Sequence, residues 1–109
     1  MIKKHIHSHY AERITLDGLC EIFRCSKSTL MNSFRGVYNT TINKYLTDVR
    51  VARARHLLAE TEDSIREVSV SCGFADQGYF TKVFSAETGF SPTEFRTRLK
   101  KSREGTSIA

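Results

Sequence analysis

The chain has 109 residues, a net charge of +5 and a hydrophobic content of 39%, which suits one ordinary domain or two very small helical lobes. It is too short for most enzyme folds, and no pair of buried carboxylates, activated nucleophile or glycine-rich phosphate loop indicates catalysis. A basic chain favours a polyanionic partner. Because it has no long apolar run and no signal peptide, we expect a cytoplasmic protein without a membrane span.

The cysteines and histidines do not follow the spacing of a common metal site. Cys20, Cys25 and Cys72 contain no C-x-x-C, so we interpret them as small hydrophobic residues, with a redox-sensing thiol as the alternative. His5 and His9 share a face of the first predicted helix, where no carboxylate completes a set of ligands. Solvated histidines are therefore favoured over a metal site, and the sequence predicts no cofactor.

The first part of the chain has the pattern of three short helices. Apolar residues four apart predict a helix over residues 2–10. Thr15 can cap a second helix, and Ser26 can cap a third over residues 27–37. The inward residues of this third helix are predicted to be Leu30, Phe34 and Val37. Two short helices joined by a tight turn are typical of a helix-turn-helix, although an ordinary helical hairpin with a solvated face fits equally well.

The segment 41–60 is predicted to be one helix of about 30 Å, because it has a helical apolar pattern and neither Gly nor Pro. Its apolar residues lie on two stripes roughly 130° apart. The first stripe holds Ile42, Tyr45, Leu46 and Val49, and the second holds Val51, Ala54, Leu57 and Leu58. A helix with one apolar face per end can serve two separate helical clusters.

The second part of the chain repeats the first at an offset of 50 residues. The pairs are Ser26 with Asp76, Leu30 with Phe80, Phe34 with Phe84, Asn39 with Gly89, Thr41 with Ser91, and Tyr45 with Phe95. Leu19 and Val68 pair at 49, which predicts one additional residue in the second turn, near Gly73. Asn and Gly are the residue types that best tolerate a left-handed helix C-cap. The repeat predicts a second helix-turn-helix whose outer helix covers residues 77–87.

Two capping boxes support the remaining helix starts in the second part. They are S-I-R-E at residues 64–67 and S-P-T-E at residues 91–94. The tail over residues 99–109 is basic, and its end is predicted to be unstructured.

Residues 72–96, C-G-F-A-D-Q-G-Y-F-T-K-V-F-S-A-E-T-G-F-S-P-T-E-F-R, resemble the signature of the AraC/XylS family of bacterial transcription regulators. The resemblance extends over residues 2–98. It implies an all-α fold of seven helices, in which two three-helix helix-turn-helix lobes are joined by a long central linker helix. The implied segments are lobe one at 1–40, the linker helix at 41–60, lobe two at 61–98 and the basic tail at 99–109.

The resemblance also implies how the domain would bind double-stranded DNA. Two recognition helices, at about 27–37 and 77–87, would enter successive major grooves on one face of the duplex. Base contacts fall on Ser28, Met31 and Asn32 in the first helix and on Gln77, Gly78, Thr81 and Lys82 in the second. Phosphate contacts fall on Lys27, Arg35 and Ser85. Because Gly78 has no side chain, direct readout is expected to depend chiefly on three residues: Asn32 and Gln77 with adenine, and Lys82 with guanine.

The implied function is a transcriptional activator at the bacterial nucleoid, with RNA polymerase as a second partner. Most family members have a separate effector-binding and dimerisation domain, so any effector would bind outside this chain. The chain is then either a standalone short member or the C-terminal piece of a longer regulator, and the short start of its first helix favours the second. A helical protein-interaction module whose charge is incidental is the alternative function; DNA binding would weaken steeply with salt, and apolar docking need not.

Overall fold

The structure, a computed structural model, describes the backbone of residues 2–108 and the side chains of residues 2–101. This part of the chain has seven helices and no strand, which confirms the all-α prediction. The helices are α1 (Ile2–His9), α2 (Leu16–Phe23), α3 (Lys27–Tyr38), α4 (Ile42–Glu60), α5 (Ile65–Ser71), α6 (Gln77–Thr88) and α7 (Pro92–Ile108). Within the described range, no helix is both long and apolar enough to cross a lipid bilayer.

The chain divides into two compact units within α4, between Arg50 and Val51. The core of the first unit contains Ile6, Leu19, Leu30, Phe34, Ile42 and Leu46. The core of the second unit contains Val51, Ala54, Leu58, Val68, Cys72, Phe74, Phe80 and Phe84. The two apolar stripes of α4 therefore belong to different cores, as the sequence predicted.

Side-chain caps fix the helix starts. The predicted cap residues each accept a hydrogen bond from a backbone N–H in the first turn: Thr15, Ser26, Thr41, Ser64, Asp76 and Ser91. The capping box of α5 is complete, because Glu67 Oε1 also accepts from the Ser64 N–H at 3.0 Å. This backbone hydrogen bond, together with that to the Ser64 side chain, lowers the pKa of Glu67 below its ordinary value.

A residue in the left-handed backbone conformation ends the second helix of each helix-turn-helix, α3 and α6. Asn39 closes α3 with φ 54°, and Gly89 closes α6 with φ 85°. In the turns that precede these helices, Arg24 and Gly73 also have positive φ, at 50° and 88°. These two residues are 49 apart, whereas the caps that follow are 50 apart, so the additional residue lies between Gly73 and Asp76.

One predicted core residue of α3 is exposed. Val37 is 72% exposed, whereas Leu30 and Phe34 are buried. The core side of α3 follows four-residue steps, so the next residue on it is Tyr38, whose ring centroid lies 4.7 Å from that of Phe34. The prediction that Val37 points inward is wrong because α3 extends one turn beyond the last buried layer.

The end of the chain is more helical than predicted. α7 continues to Ile108, so the prediction that the end of the tail is unstructured is wrong up to residue 108. A capped start with Pro92 in the first turn and a following run of Arg, Leu and Lys, all good helix formers, explain the continuation. The side chains of the basic tail from residue 102 onward lie outside the described residues.

Two arginines bind backbone carbonyl groups within their own units. Arg50 donates from Nε to the Tyr10 carbonyl at 2.7 Å and from Nη2 to the Glu12 carbonyl at 3.0 Å. Arg96 donates three hydrogen bonds of 2.6 to 3.2 Å to carbonyls at the end of α4 and in the loop after it. These carbonyls belong to Leu58, Thr61 and Asp63. Because helix ends leave carbonyls without intrahelical partners, these guanidinium groups stabilise the fold.

Candidate nucleic-acid interface

The outer face of α3 is polar and open to solvent. Leu30 and Phe34 bury the opposite face, at 2% and 1% exposure. The residues predicted to contact DNA from this helix are all exposed: Lys27, Ser28, Met31, Asn32 and Arg35. The structure therefore brings the first predicted set together on one surface of the first unit.

Lys27 is the first residue of α3, and it is ion-paired. Its Nζ lies 2.9 Å from Asp17 Oδ1 in the first turn of α2. The hydrogen bond to Asp17, strengthened by the charge of this carboxylate, raises the pKa of Lys27 above its ordinary value. Since both side chains are exposed, the pair is weakly held and the ammonium group can turn to another anion.

The outer face of α6 lies opposite a buried apolar face in the second unit, as the outer face of α3 does in the first. Phe80 and Phe84 are fully buried beneath it. Of the predicted contact residues, three are exposed, namely Gln77, Gly78 and Lys82, and two are half-buried, namely Thr81 and Ser85. A side chain at position 78 would start close to the cap of the helix, because a Cβ there would lie 3.3 Å from Asp76 Oδ1.

Comparison with known proteins identifies this arrangement. A family model described as "Helix-turn-helix domain" matches residues 19–98. The HTH-type transcriptional activator RhaR of Salmonella arizonae is 42% identical over 81 residues, which cover 74% of this chain. The chain belongs to the AraC/XylS family. It is a DNA-binding domain of a transcription regulator and not an enzyme.

Solved structures agree with this assignment. The C-terminal domain of AraT, a response regulator from Geobacillus stearothermophilus, has a TM-score of 0.87 at 26% identity and covers 89% of this chain and 81% of that one. A DNA-binding transcriptional dual regulator from Escherichia coli K-12 has a TM-score of 0.82 at 31% identity, with coverage of 92% and 89%. The DNA-binding domain of AdpA, solved with a target DNA, shares the fold with a TM-score of 0.90 at 24% identity, with coverage of 94% and 93%.

This AraC/XylS chain is short compared with its relatives. It spans about 29% of the length of the curated RhaR proteins that it matches. The family assignment therefore applies to the domain, and the activity of a whole regulator is a separate question.

A cleft of about 100 Å³ runs beside the outer face of α3 in this AraC/XylS domain. It is lined by Leu16, Met31, Asn32, Arg35, Thr41, Ile42 and Asn43. Three predicted contact residues thus share a concave surface with the first turn of α4. Asn43 was not predicted to be a contact residue, and its exposed amide adds a donor and an acceptor to this surface. The sequence feature that could have indicated Asn43 is its position as a polar residue two places after the Thr41 cap.

Tyr79 is a second residue that the sequence analysis missed. It lies in the first turn of α6 and is 53% exposed, and its ring centroid is 6.2 Å from that of Phe74. The next residue, Phe80, is fully buried. A helical wheel places Tyr79 on the same side of α6 as Lys82, because Tyr79 is three residues before Lys82 and lies about 60° from it around the helix axis.

The two recognition helices of this family member differ in charge. α3 carries Lys27 and Arg35 and no acidic residue, whereas α6 carries Lys82 and Glu87. Residues 61–95 hold two basic and six acidic residues, while residues 1–60 hold ten basic and five acidic. In the described part of the chain, no group of three His, Cys, Asp or Glu residues is arranged to hold a metal ion.

Proposed function

We propose that this domain binds a specific double-stranded DNA sequence through α3 and α6 and serves a transcriptional activator. The observation that supports this most directly is the pair of outer faces on these helices, each polar and each held by two buried apolar residues. Leu30 and Phe34 hold the first face, and Phe80 and Phe84 hold the second. A helix anchored in this way can present side chains to a major groove.

Base recognition is assigned to exposed polar side chains of the two helices. Asn32 and Gln77 can each make two hydrogen bonds to adenine, and Lys82 can donate to guanine. Met31 is 50% exposed, and its thioether chain can contact the methyl group of thymine. The smaller contributions are assigned to Ser28, Gly78 and Thr81, of which Gly78 permits close approach of the backbone.

Phosphate contacts are assigned to the edges of the faces. Lys27 and Arg35 supply positive charge on α3, and Ser85 supplies a hydroxyl donor on α6. Contacts of this kind orient a protein on DNA and carry no sequence information. The Lys27 ammonium group must then leave Asp17 or share its charge with it, because the carboxylate and the phosphate compete for the same cation.

We place the two helices in successive major grooves of one duplex. The family resemblance supports this placement. Successive grooves on one face recur every 10 to 10.5 bp, or about 34 Å. Inserting 5 bp between the two half-sites would turn one groove to the opposite side, so affinity should fall toward that of a single helix-turn-helix.

The remaining partners follow from the role of an activator. RhaR is named a transcriptional activator, and we propose RNA polymerase as the second partner of this protein. We therefore place this protein at the nucleoid in the bacterial cytoplasm. An effector, if the regulator has one, would bind a domain outside this chain.

Selection of binding sites from random duplex DNA, followed by sequencing, tests the proposal. The purified domain should recover a motif of two half-sites, and its affinity for the recovered duplex should fall steeply with salt, because bound phosphates release counterions. Failure to enrich any sequence at low salt would contradict the proposal and favour a protein-interaction module.

A further inference from the structure

The second recognition helix has few charges with which to hold the DNA backbone. Lys82 is its only basic residue, and Lys82 lies at the centre of the outward face, where base edges are read. The nearby arginines of α7 are engaged in the fold: Arg96 binds three carbonyls, and the guanidinium carbon of Arg98 lies 4.4 Å from the centroid of the Phe90 ring. If α6 binds DNA as proposed above, neutral donors on the helix can add phosphate contacts that its own charges do not supply.

Tyr79 has the geometry of such a donor. Its backbone N–H donates to Asp76 Oδ1 at 2.7 Å, so the first turn in which it lies is capped. Its ring lies beside Phe74, at 6.2 Å between centroids, while 53% of the residue remains exposed. An aromatic side chain held on one side by a core residue loses little conformational entropy on binding, since only two side-chain torsions need to be fixed.

We infer that the phenolic hydroxyl of Tyr79 donates a hydrogen bond to a DNA phosphate and anchors α6 without adding charge. This inference rests on the proposed function of α6. A phosphate oxygen is an acceptor, and a phenolic hydroxyl can donate to it. The position of the ring, about 60° to one side of Lys82 around the helix, suits the wall of a groove rather than its floor.

Tyr38 provides a matched comparison within the same chain. It is 38% exposed and lies in the last turn of α3. Its ring contacts Phe34 and Tyr45, and Lys3 Nζ lies 4.8 Å from its centroid. It is thus an exposed tyrosine whose ring completes an aromatic cluster of the first unit, outside the predicted contact face.

The experiment compares the parent domain with Tyr79→Phe, Tyr38→Phe and Lys27→Gln. Dissociation constants are measured by fluorescence anisotropy, over a range of salt, on the duplex recovered by selection and on a random-sequence duplex. Tyr79→Phe keeps the ring on Phe74 and removes only the hydroxyl. It should weaken binding to both duplexes by about 3- to 10-fold, as loss of one hydrogen bond does. Tyr38→Phe should bind like the parent.

The salt dependence separates a neutral contact from a charged one. The slope of log affinity against log salt should be the same for Tyr79→Phe as for the parent, whereas Lys27→Gln should reduce its magnitude by about 0.9. A single uncharged methylphosphonate linkage at the contacted phosphate should weaken the parent. The same linkage should weaken Tyr79→Phe less, because that variant has already lost the contact.

Three results would overturn the inference. Equal affinity of parent and Tyr79→Phe would show that the hydroxyl makes no contact. A loss confined to the selected duplex would indicate a base contact instead. An equal effect of every methylphosphonate on parent and variant would exclude a phosphate partner. If the parent itself binds neither duplex, the proposed function fails as well, which distinguishes that outcome from the other three.

Discussion

Lys27 Nζ lies 2.9 Å from Asp17 Oδ1, so the first residue of α3, the first proposed recognition helix, is ion-paired with the first turn of α2. The pair joins the two helices of the first helix-turn-helix at the edge of the proposed DNA surface. It also places a carboxylate where a phosphate would approach. A structural contact and a binding contact therefore compete for one ammonium group.

Asp17→Asn should strengthen binding to DNA of any sequence by about 2- to 5-fold. The substitution removes a negative charge beside the approaching phosphate and releases Lys27 for it. The measurement is affinity for the selected and random duplexes at low salt. In a Lys27→Ala background, the gain from Asp17→Asn should be clearly smaller; an undiminished gain there would show that the two residues act independently.

Phe34→Ala and Phe84→Ala should each lower the free energy of unfolding by about 3 to 5 kcal/mol, since both rings are fully buried in the cores of their units. Val37→Ala is the control, because this residue is 72% exposed, and it should change stability by no more than about 0.5 kcal/mol. Chemical denaturation monitored by circular dichroism provides the comparison. If Val37→Ala is destabilised as much as Phe34→Ala, then Val37 is packed in the core and its assignment as exposed is wrong.

Arg96→Lys should destabilise the domain by about 1 to 3 kcal/mol. An ammonium group cannot reproduce the planar arrangement of donors with which Arg96 reaches three carbonyls. Arg66→Lys, on the exposed side of α5, should stay within about 0.5 kcal/mol of the parent. If the two variants unfold at the same denaturant concentration, the carbonyl contacts of Arg96 do not stabilise the fold.

The capping box of α5 predicts a dependence of stability on pH. Hydrogen bonding to Ser64 lowers the pKa of Glu67 in the folded state. The charged carboxylate therefore stabilises the fold above the pKa of the unfolded chain, and this contribution is lost as the pH falls through the lower folded value. The parent should melt at a higher temperature than Glu67→Gln at pH 7, and the difference should shrink toward pH 3. A constant difference over this range would contradict a role for the charge.

The elements that the sequence predicted correctly depend on local chemistry. Caps at Ser26, Asp76 and Ser91, and left-handed ends at Asn39 and Gly89, are each determined by a few neighbouring residues. The two apolar stripes of α4 could also be predicted from the sequence, because the helical spacing of apolar residues shows them directly. The offset of 50 residues then transferred each assignment from one helix-turn-helix to the other.

The predictions that failed depend on contacts distant along the chain. Val37 fits the helical spacing of Leu30 and Phe34, but the core side of α3 continues to Tyr38 instead, and Val37 is exposed. Nothing in the sequence indicated the structural role of Arg96, because its carbonyl partners lie 33 to 38 residues earlier. Tyr79 was not singled out, although its position three residues before Lys82 indicated the outward side of the helix.

The most direct test of sequence reading by both helices is to repeat the random-DNA selection with Asn32→Ala and with Gln77→Ala. Each variant removes one exposed amide and leaves the buried faces of α3 and α6 unchanged. If both helices read bases, Asn32→Ala should lose base preference in one half-site, and Gln77→Ala should lose it in the other. Recovery of the parent motif by both variants would contradict the account, because base recognition would then have to come from other residues.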